Sequence, residues 1–379
     1  MKIVQVIHCC SPGGAEIYIK NLLISMKNQH KKNEYQLWVI YKAKELYNGN
    51  KKSIEFENNF VEELRNNGIS VKFISKTNGL KNRLKMIKKI NELYLEFMPD
   101  IIHCHLETVT FHIASSLLFR KVKVLETIHN TKINRPKLHK YFLNYKIKKY
   151  VSIADSVTDI IKDKININDK KIIKIYNGID IEKFSCDRDN FDSDIPKNIV
   201  AIGRLTEQKN HMLLIKSFDN LIKKCEQNNV ILPFLNIYGQ GDLEKKLKQF
   251  VLDNNIKNIN FMGITSDVPK VLSKNDIYVM SSIYEGFSIS LIEALASGIS
   301  IICTDVGGNK EIIDNNYTGI IVDRNDQTNM TESMYMLITD SNKRQLFYNN
   351  CNENKYKYSI NYCSAEHINL YKSVICKMQ

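Results

Sequence analysis

The sequence predicts an α/β protein with two domains, each a doubly wound parallel sheet flanked by helices. Three observations support this prediction. Short apolar runs alternate with longer helical patterns along the chain, as in parallel sheets. This alternation restarts near residue 198. The length of 379 residues is large for one domain and suits two domains of roughly 180 residues each.

The predicted strands fall into two series separated by a polar stretch. Residues 1–180 contain KIVQVIH, YQLWVIYK, VKFIS, DIIHCHL, KVLETIHN, KYVSIA and KIIKIYNG. Residues 198–355 contain NIVAIGRL, PFLNIYG, INFMG, DIYVMSS, SIICTD and GIIVD. Between them, residues 181–197 include the acidic, polar CDRDNFDSDIPK and are predicted to be a linker. Residues 356–379 follow the second series and contain the helical pattern SAEHINLYKSVI.

The composition is that of an ordinary soluble globular protein, with 43% hydrophobic and 25% charged residues. No run approaches the ~18 consecutive apolar residues of a membrane span. The N-terminus lacks the small-residue cleavage site of a signal peptide. Nine cysteines without paired spacing indicate a reducing compartment, so we expect a cytoplasmic protein.

The positive charge is confined to the first part of the chain. Residues 1–150 carry 27 Lys and Arg against 12 Asp and Glu, whereas residues 151–379 carry 27 against 29. The clusters LKNRLKMIKKI and KLHKYFLNYKIKKY mix basic with apolar and aromatic residues, as helices on an anionic membrane do. The alternative is that these lysines only solvate helix faces. Nucleic acid also attracts such charge, but zinc-finger spacing and aromatic RNA-binding motifs are absent, so no nucleic-acid partner is expected.

Residues that follow the strands are the candidates for function, because parallel sheets bind ligands beyond the carboxyl ends of their strands. SPGGAE follows the first strand, and Gly13 and Gly14 permit close approach to a helix N-terminus, which favours an anionic ligand. The alternative is a simple tight turn. GRLTEQKN opens the second domain, where Gly203, Arg204 and Lys209 share one turn that suits a diphosphate.

The stretch YEGFSISLIEALASG places two acids among small and apolar residues. Ser288 is a suitable N-cap, a helix is predicted from Ile289 to Ser297, and Gly298 is a natural stop. Glu285 therefore precedes this helix and Glu293 lies inside it. The helix amides favour phosphate, and the carboxylates favour sugar hydroxyl groups. The alternatives are a surface acid at 293 and an acid that complements the helix dipole at 285.

Taken together, these motifs resemble the signature of the retaining GT-B glycosyltransferases of family four. EGFSISLIEALASGISIICTDVGGNKEII is similar to the segment in which two Glu residues, separated by seven others, precede a buried strand and a Gly-Gly loop. GRLTEQKN resembles the family's diphosphate turn, SPGGAE its N-terminal glycine loop, and YNGID the segment leading into the second domain. The resemblance spans about Gly13 to Gly319. It implies the GT-B fold, with two Rossmann-like domains facing across a cleft and a C-terminal helix returning to an acceptor-binding first domain.

The resemblance also implies roles for individual residues. Arg204 and Lys209 would bind the diphosphate, Glu293 the ribose, and Glu285 the donor sugar. His129, after VLETIH, matches the first-domain histidine that reaches the transferred sugar; a lone His after a strand is otherwise structural. Further donor contacts would come from Gly13, Gly14, Gly203, Gly286, Phe287, Ser288 and Ile289. His103 and His105 lack a third metal ligand, so we expect them to line the acceptor side.

The implied reaction is sugar transfer with retained configuration from a nucleotide-diphosphate donor, with UDP the nucleotide expected on family grounds. Basic side chains and helix amides would stabilise the leaving group, so no metal or other cofactor is expected. The D-x-D match at Asp187 lies in the linker and is interpreted as chance. The acceptor would be a glycan or a lipid-linked glycan in surface polysaccharide synthesis at the inner membrane face. The alternatives are another GT-B enzyme, such as a nucleotide-sugar epimerase, and a non-enzymatic protein that binds anions or nucleic acid.

Overall fold

The computed structural model describes residues 1–11, 13–47, 49–75, 80–129, 133, 135–188 and 197–376, with only the backbone at positions 80 and 81. The chain forms two compact units. The first comprises residues 1–179 together with 359–379, and the second comprises residues 180–358. Each unit contains one parallel β-sheet.

Thirteen strands are found in the described residues, seven in the first unit and six in the second. Those of the first are β1 (Lys2–Ile7), β2 (Glu34–Tyr41), β3 (Ser70–Ser75), β4 (Ile101–Cys104), β5 (Lys123–Ile128), β6 (Ile147–Ser152) and β7 (Ile172–Lys174). Those of the second are β8 (Asn198–Ile202), β9 (Phe234–Tyr238), β10 (Ile259–Gly263), β11 (Ile277–Met280), β12 (Ser300–Thr304) and β13 (Ile320–Val322).

The α-helices alternate with these strands along most of the chain. They are α1 (Gly14–Gln29), α2 (Ala43–Leu46), α3 (Lys51–Asn66), α4 (Leu80–Phe97), α5 (Glu107–Ser116), α6 (Pro136–Leu138), α7 (Asn144–Lys146), α8 (Asp155–Ile160), α9 (Ile181–Phe184), α10 (His211–Gln227), α11 (Glu244–Asp253), α12 (Val268–Ser273), α13 (Ile289–Ala296), α14 (Asn309–Ile312), α15 (Gln327–Thr339), α16 (Ser341–Asn354) and α17 (Ile360–Cys376). Single π-helical turns occur at His139–Leu143 and Ile161–Ile165, and 3₁₀ turns at Asp169–Lys171, Glu207–Lys209 and Lys355–Tyr358.

The order of the strands confirms the predicted fold class. The first sheet runs β3-β2-β1-β4-β5-β6-β7 and the second β10-β9-β8-β11-β12-β13, and the paired strands are parallel throughout. Strands covered by helices on both faces are continuously buried, as in β12, where all five residues are buried. In each sheet the order reverses beside the first strand. These reversals, between β1 and β4 and between β8 and β11, are the switch points at which such sheets bind ligands.

The last helix packs on the first unit. α1 buries Tyr18, Leu22 and Met26 along one face, a spacing that produces an apolar stripe. Against this helix lies α17, where the Cys363 thiol is 3.2 Å from the Tyr18 hydroxyl. The Ser25 hydroxyl donates to Ser364 over 3.0 Å. The helix α17 is therefore part of the core of the first unit.

The described part of the predicted linker belongs to the second unit. Residues 181–184 form α9, and the buried guanidinium of Arg188 donates to the carbonyls of Leu272, Asn275 and Ser297 over 2.7 to 3.0 Å. Residues 189–196 lie outside the described residues, and with them the end of the D-x-D match. None of the helices in the described ranges has the length and apolar character needed to cross a bilayer.

Candidate functional site

The best candidate site of the second unit is formed by the loops that follow β8, β11 and β12. These strands are neighbours, and the first two flank the switch point of the sheet. The loop after β8 carries Arg204 and Lys209, and the loop after β11 carries Glu285 and leads into α13, which contains Glu293. Residues separated by about 80 positions in sequence are thus brought to one edge of the sheet.

Lys209 and Glu285 form a partly buried ion pair. The Lys209 Nζ lies 2.7 Å from the Glu285 Oε1, and their side chains are 16% and 9% exposed. The Ser282 hydroxyl donates to the same oxygen over 2.7 Å. Among the described residues no hydrogen bond engages Oε2, so this oxygen remains available as an acceptor. The structure therefore joins two of the predicted site residues directly, and a third side chain fixes their orientation.

Hydrogen bonds between the loops hold this pair in place. The amide of Ile283 donates to the carbonyl of Gln208 over 2.7 Å, and the Gln208 side chain donates to the carbonyl of Tyr284 over 3.1 Å. From β12, the Thr304 hydroxyl donates to the carbonyl of Ser282 over 2.7 Å. Because three loops bond to one another through backbone groups, the ion pair rests on a preorganised framework.

The Gly-Gly loop after β12 packs against the backbone of Glu285. Gly307 has a φ of +53°, and a Cβ atom there would lie 2.0 Å from the Glu285 carbonyl oxygen. The next residue, Gly308, donates its amide to the carbonyl of Gly286 over 3.0 Å. Only glycine combines this left-handed backbone with so close an approach. The glycines of this loop thus position the first acid of the site.

The helix α13 begins at Ile289 as predicted, with Ser288 at the N-cap. The Ser288 hydroxyl, however, does not cap the helix; it lies 3.2 Å from the Ser290 hydroxyl, which competes for it. No hydrogen bond of the described residues uses the amides of Ile289 or Ser290. The first turn therefore keeps donors available for an anion. Gly286 precedes this turn, and the buried ring of Phe287 packs 5.9 Å from that of Tyr358.

Glu293 lies inside α13, on the second turn of the helix. Its carboxyl group makes no hydrogen bond or ion pair with a described residue, and burial raises its pKa to about 8. A carboxyl without a partner in such a place is costly, and unpartnered, strongly shifted groups concentrate at functional sites. The predicted position of this acid inside the helix is confirmed, and the burial of its carboxyl argues against a freely solvated surface acid.

Arg204 follows β8 as predicted, but its side chain is exposed and bonds to no described residue. The expected convergence of its guanidinium with Lys209 thus stays a prediction. Gly203 is packed on the aliphatic part of Lys209, since a Cβ atom there would lie 3.3 Å from the Lys209 Cε. A larger residue at 203 would displace the lysine.

The remaining predicted residues lie in the first unit. Gly13 is the N-cap of α1 and Gly14 its first residue, without a side-chain cap, and the Glu16 carboxylate lies beside Gly13. His129 follows β5, and its Nε2 is 3.0 Å from the Nδ1 of His105. His103 and His105 are 0% and 2% exposed. The expectation that this pair lines an acceptor surface is therefore wrong, because α17 covers that part of the sheet.

Sequence reasoning missed several residues that support these groups. Ser282 orients Glu285, and Gln5 and Tyr371 bond to the histidines of the first unit. No local pattern marks them, because their partners are distant in sequence. In the described ranges, no group of three or more His, Cys, Asp and Glu side chains is arranged to hold a metal ion.

Comparison with known proteins adds two family matches and several relatives. Residues 187–357 match the family described as glycosyl transferases group 1, and residues 12–183 match glycosyltransferase family 4. A Campylobacter jejuni α-1,4-N-acetyl-D-galactosaminyltransferase, which acts on a GalNAc-containing diphosphoundecaprenol glycan, is 23% identical over 99% of both chains. An Escherichia coli UDP-Gal:α-D-GlcNAc-diphosphoundecaprenol α-1,3-galactosyltransferase is 24% identical over 74% of this chain and 75% of its own.

Among solved structures, Anabaena HepE in complex with UDP is similar with a TM-score of 0.81. The match covers 98% of this chain and 100% of that protein, at 15% sequence identity. At this identity the likeness shows the fold, which is the two-domain GT-B fold.

Proposed function

Since the chain belongs to the group 1 glycosyltransferases of family 4, we propose that it transfers a sugar with retained configuration from a UDP-sugar. The acceptor is a glycan or a lipid-linked glycan in surface polysaccharide synthesis. Relatives that act on undecaprenol-linked glycans support this acceptor class. The single observation that carries the proposal is the Lys209–Glu285 ion pair at the switch point of the second sheet, beside the uncapped start of α13.

The diphosphate is held by charge. Its leaving phosphate gains negative charge as the bond to the sugar breaks, and cations and helix amides that are already in place stabilise that charge without reorganising. Arg204, Lys209 and the free amides of Ile289 and Ser290 supply these groups. Because the guanidinium of Arg204 is exposed and uncommitted, it is free to close on the diphosphate once the donor is bound.

The two acids hold the sugars. Glu293 accepts hydrogen bonds from the ribose hydroxyl groups, which compensates for the burial of its carboxyl. Glu285 keeps Oε1 on Lys209 and Ser282 and uses Oε2 for a hydroxyl of the transferred sugar. His129 contacts another hydroxyl of that sugar. In this arrangement Lys209 contacts both the diphosphate and the carboxylate of Glu285, which holds the transferred sugar.

Retention follows from attack on the same face from which the nucleotide leaves. The acceptor hydroxyl forms the new bond to the anomeric carbon as the bond from that carbon to the phosphate oxygen breaks. The acceptor proton passes to the departing phosphate oxygen, so that neither a protein base nor a metal ion is required. Charge stabilisation by the cationic side chains supplies what a divalent cation supplies in other glycosyltransferases.

The acceptor side involves a basic aromatic surface on the first unit, which we call the 119–145 surface. Phe119, Tyr141 and Tyr145 are 95%, 75% and 84% exposed. Lys146 joins their loops, donating to the carbonyls of Leu118 and Arg120. Arg120, Lys121 and Lys140 are exposed neighbours of these residues in sequence, and the Lys140 Nζ lies 5.4 Å from the centre of the Tyr141 ring. Aromatic rings among lysines and arginines suit the interface of an anionic bilayer, so we propose that this surface brings the enzyme to its lipid-linked acceptor at the cytoplasmic face.

Donor hydrolysis tests the proposed reaction. The protein is incubated with a panel of UDP-, GDP- and ADP-sugars in EDTA, and nucleotide release is followed with and without acceptor. We expect release from one UDP-sugar, and loss of it in Lys209→Ala. Activity that appears only after addition of manganese would contradict the metal-free mechanism. Stabilisation by an oligonucleotide but not by UDP would favour the non-enzymatic alternative.

Vesicle flotation tests the 119–145 surface. Wild-type protein should float with vesicles containing anionic lipid and should be released by high salt, because screening weakens such attraction. Phe119→Ser with Tyr145→Ser should abolish flotation while UDP binding persists. Tyr362→Ser, a replacement of a tyrosine on α17 that is 58% exposed, is the matched control. Equal flotation of the double variant and the control would refute this assignment.

A further inference from the structure

A buried chain of hydrogen bonds in the first unit leads from His129 into the core. The Nε2 of His129 is 3.0 Å from the Nδ1 of His105, and the Nε2 of His105 is 2.6 Å from the Oε1 of Gln5. Gln5 is fully buried in β1, and its Nε2 donates to the hydroxyl of Tyr371 on α17 over 2.8 Å. Three strands and the last helix thus meet in one polar path.

The path continues from Tyr371 to His103, which lies in β4. The Tyr371 hydroxyl lies 2.7 Å from the Nδ1 of His103, and the Nε2 of His103 is 2.8 Å from the Thr127 hydroxyl. We call this set the histidine network: His129, His105, Gln5, Tyr371, His103 and Thr127. Apart from His129, its members are buried, with exposures of 2% or less.

The orientation of the Gln5 amide sets the direction of the hydrogen bonds of His105 and His129. Gln5 Oε1 can only accept, so His105 carries its proton on Nε2 and has an unprotonated Nδ1. That nitrogen can only accept, so His129 donates its Nε2–H to it. On the other side, the Gln5 amide donates to the Tyr371 hydroxyl, which lies 2.7 Å from the Nδ1 of His103. His105 and His129, when neutral, are therefore each left with a single tautomer.

The surroundings keep these rings neutral. His103 and His105 stack with centroids 4.6 Å apart, and His105 and His129 with centroids 5.3 Å apart, so a charge on one ring would oppose a charge on the next. Burial, and secondarily the neighbouring His367, lowers the pKa of His129 to about 4. Its Nδ1 has no hydrogen-bond partner among the described residues, although the residue is partly exposed. The network thus ends in a free nitrogen lone pair.

We propose that the histidine network locks His129 as the neutral Nε2–H tautomer, so that its Nδ1 acts only as a hydrogen-bond acceptor toward a substrate hydroxyl. Gln5, His105 and Tyr371 are then positioning residues, which act through His129. This inference rests on the proposed function in one respect, namely that the hydroxyl belongs to the transferred sugar. The unprotonated Nδ1 of His129 favours donor sugars that present a hydroxyl group to it. A donor sugar with only an acceptor group at this position would place two acceptors opposite each other without a proton between them.

The tautomer is measured without any turnover. In the full-length protein labelled with ¹⁵N-histidine, two-bond ¹H–¹⁵N spectra distinguish a protonated from an unprotonated ring nitrogen, and the signal of His129 is assigned by its loss in His129→Gln. We expect an unprotonated Nδ1 and a protonated Nε2 from pH 5.5 to pH 8. A protonated Nδ1, or an imidazole that titrates in this range, overturns the proposal.

Variants at His105 separate positioning from simple stability. His105→Leu removes the acceptor of the His129 proton, and we expect kcat for sugar transfer to fall about tenfold while KM for the nucleotide changes little. His105→Gln offers an amide oxygen in the same place and should recover most of that loss. Tyr35→Phe is the control, because it removes another buried tyrosine hydroxyl of this unit, bonded to the carbonyl of Met26 over 3.1 Å.

Recovery in His105→Gln but not in His105→Leu, with the expected tautomer in wild type, supports the proposal. Equal kcat in wild type and His105→Leu overturns it, as does an equal loss in Tyr35→Phe. If wild type transfers no sugar from any donor, the proposed function fails, whereas the tautomer measured by NMR still decides whether the network acts as described.

Discussion

Glu293→Gln is expected to stabilise the free protein at neutral and alkaline pH relative to wild type. In the folded state, burial raises the pKa of the Glu293 carboxyl to about 8, and no described residue compensates it. In the unfolded chain the pKa returns to 4.5, the ordinary value for a glutamate. Between these two values the folded state binds more protons than the unfolded state, so stability falls as pH rises.

The size of this effect follows from the two pKa values. The carboxyl costs about 1 kcal/mol of stability at pH 5, roughly 3 kcal/mol at pH 7 and about 4 kcal/mol at pH 8. Glutamine does not ionise, so its own cost in this place is independent of pH. The difference in unfolding free energy between Glu293→Gln and wild type should therefore grow by roughly 3 kcal/mol from pH 5 to pH 8. The contributions of the other titrating groups to the unfolding free energy are the same in both proteins and cancel in this difference.

Hydrogen exchange of peptides covering β11 to β12 gives the free energy of opening of the second unit at each pH. The protein has a single tryptophan, Trp38 in the first unit, so its fluorescence during urea unfolding is an internal control that should not change. A difference that stays constant between pH 5 and pH 8 would refute the reasoning. UDP should narrow the difference, because ribose hydroxyl groups bond to the ionised carboxylate.

Three further predictions concern single contacts. Lys209→Ala should lower turnover by ~100-fold or more in the UDP-release assay, since it removes a cation that stabilises the leaving group; unchanged turnover would exclude that role. Gly307→Ala should abolish UDP binding measured by calorimetry, because its Cβ would meet the Glu285 carbonyl oxygen at 2.0 Å, while the first unit stays folded. Burial lowers the pKa of His139, but the hydrogen bond from its Nε2 to Glu126 over 3.0 Å and the negative charges of Glu126 and Glu107 together raise this pKa above the ordinary value. The loss of unfolding free energy caused by His139→Gln should therefore be largest below pH 6.5. A loss, measured by urea unfolding, that grows toward alkaline pH would contradict this.

The sequence was sufficient for the fold and for the local form of the candidate site in the second unit. Apolar runs that alternate with helical patterns are direct consequences of buried parallel strands, so the strands were predictable. The start of α13 at Ile289 and the position of Glu293 among buried apolar residues follow from a mainly apolar helix after a Ser. Contacts between distant segments were not predictable. The burial of His103 and His105 depends on α17, about 260 residues later, and the bond between Ser282 and Glu285 depends on a loop shape that two other loops impose.

The packing of α17 has a consequence for biosynthesis. A ribosome that has made residues 1–179 has released a sheet whose covering helix does not yet exist, and the whole second unit is made before that helix emerges. The nascent first unit must wait with Tyr18, Gln5 and His103 lacking their partners, whereas the second unit is contiguous and can fold first. For this chain, the first unit is the first to be synthesised and the last to complete its fold. An early stop codon upstream of residue 360 therefore leaves the first unit without its covering helix.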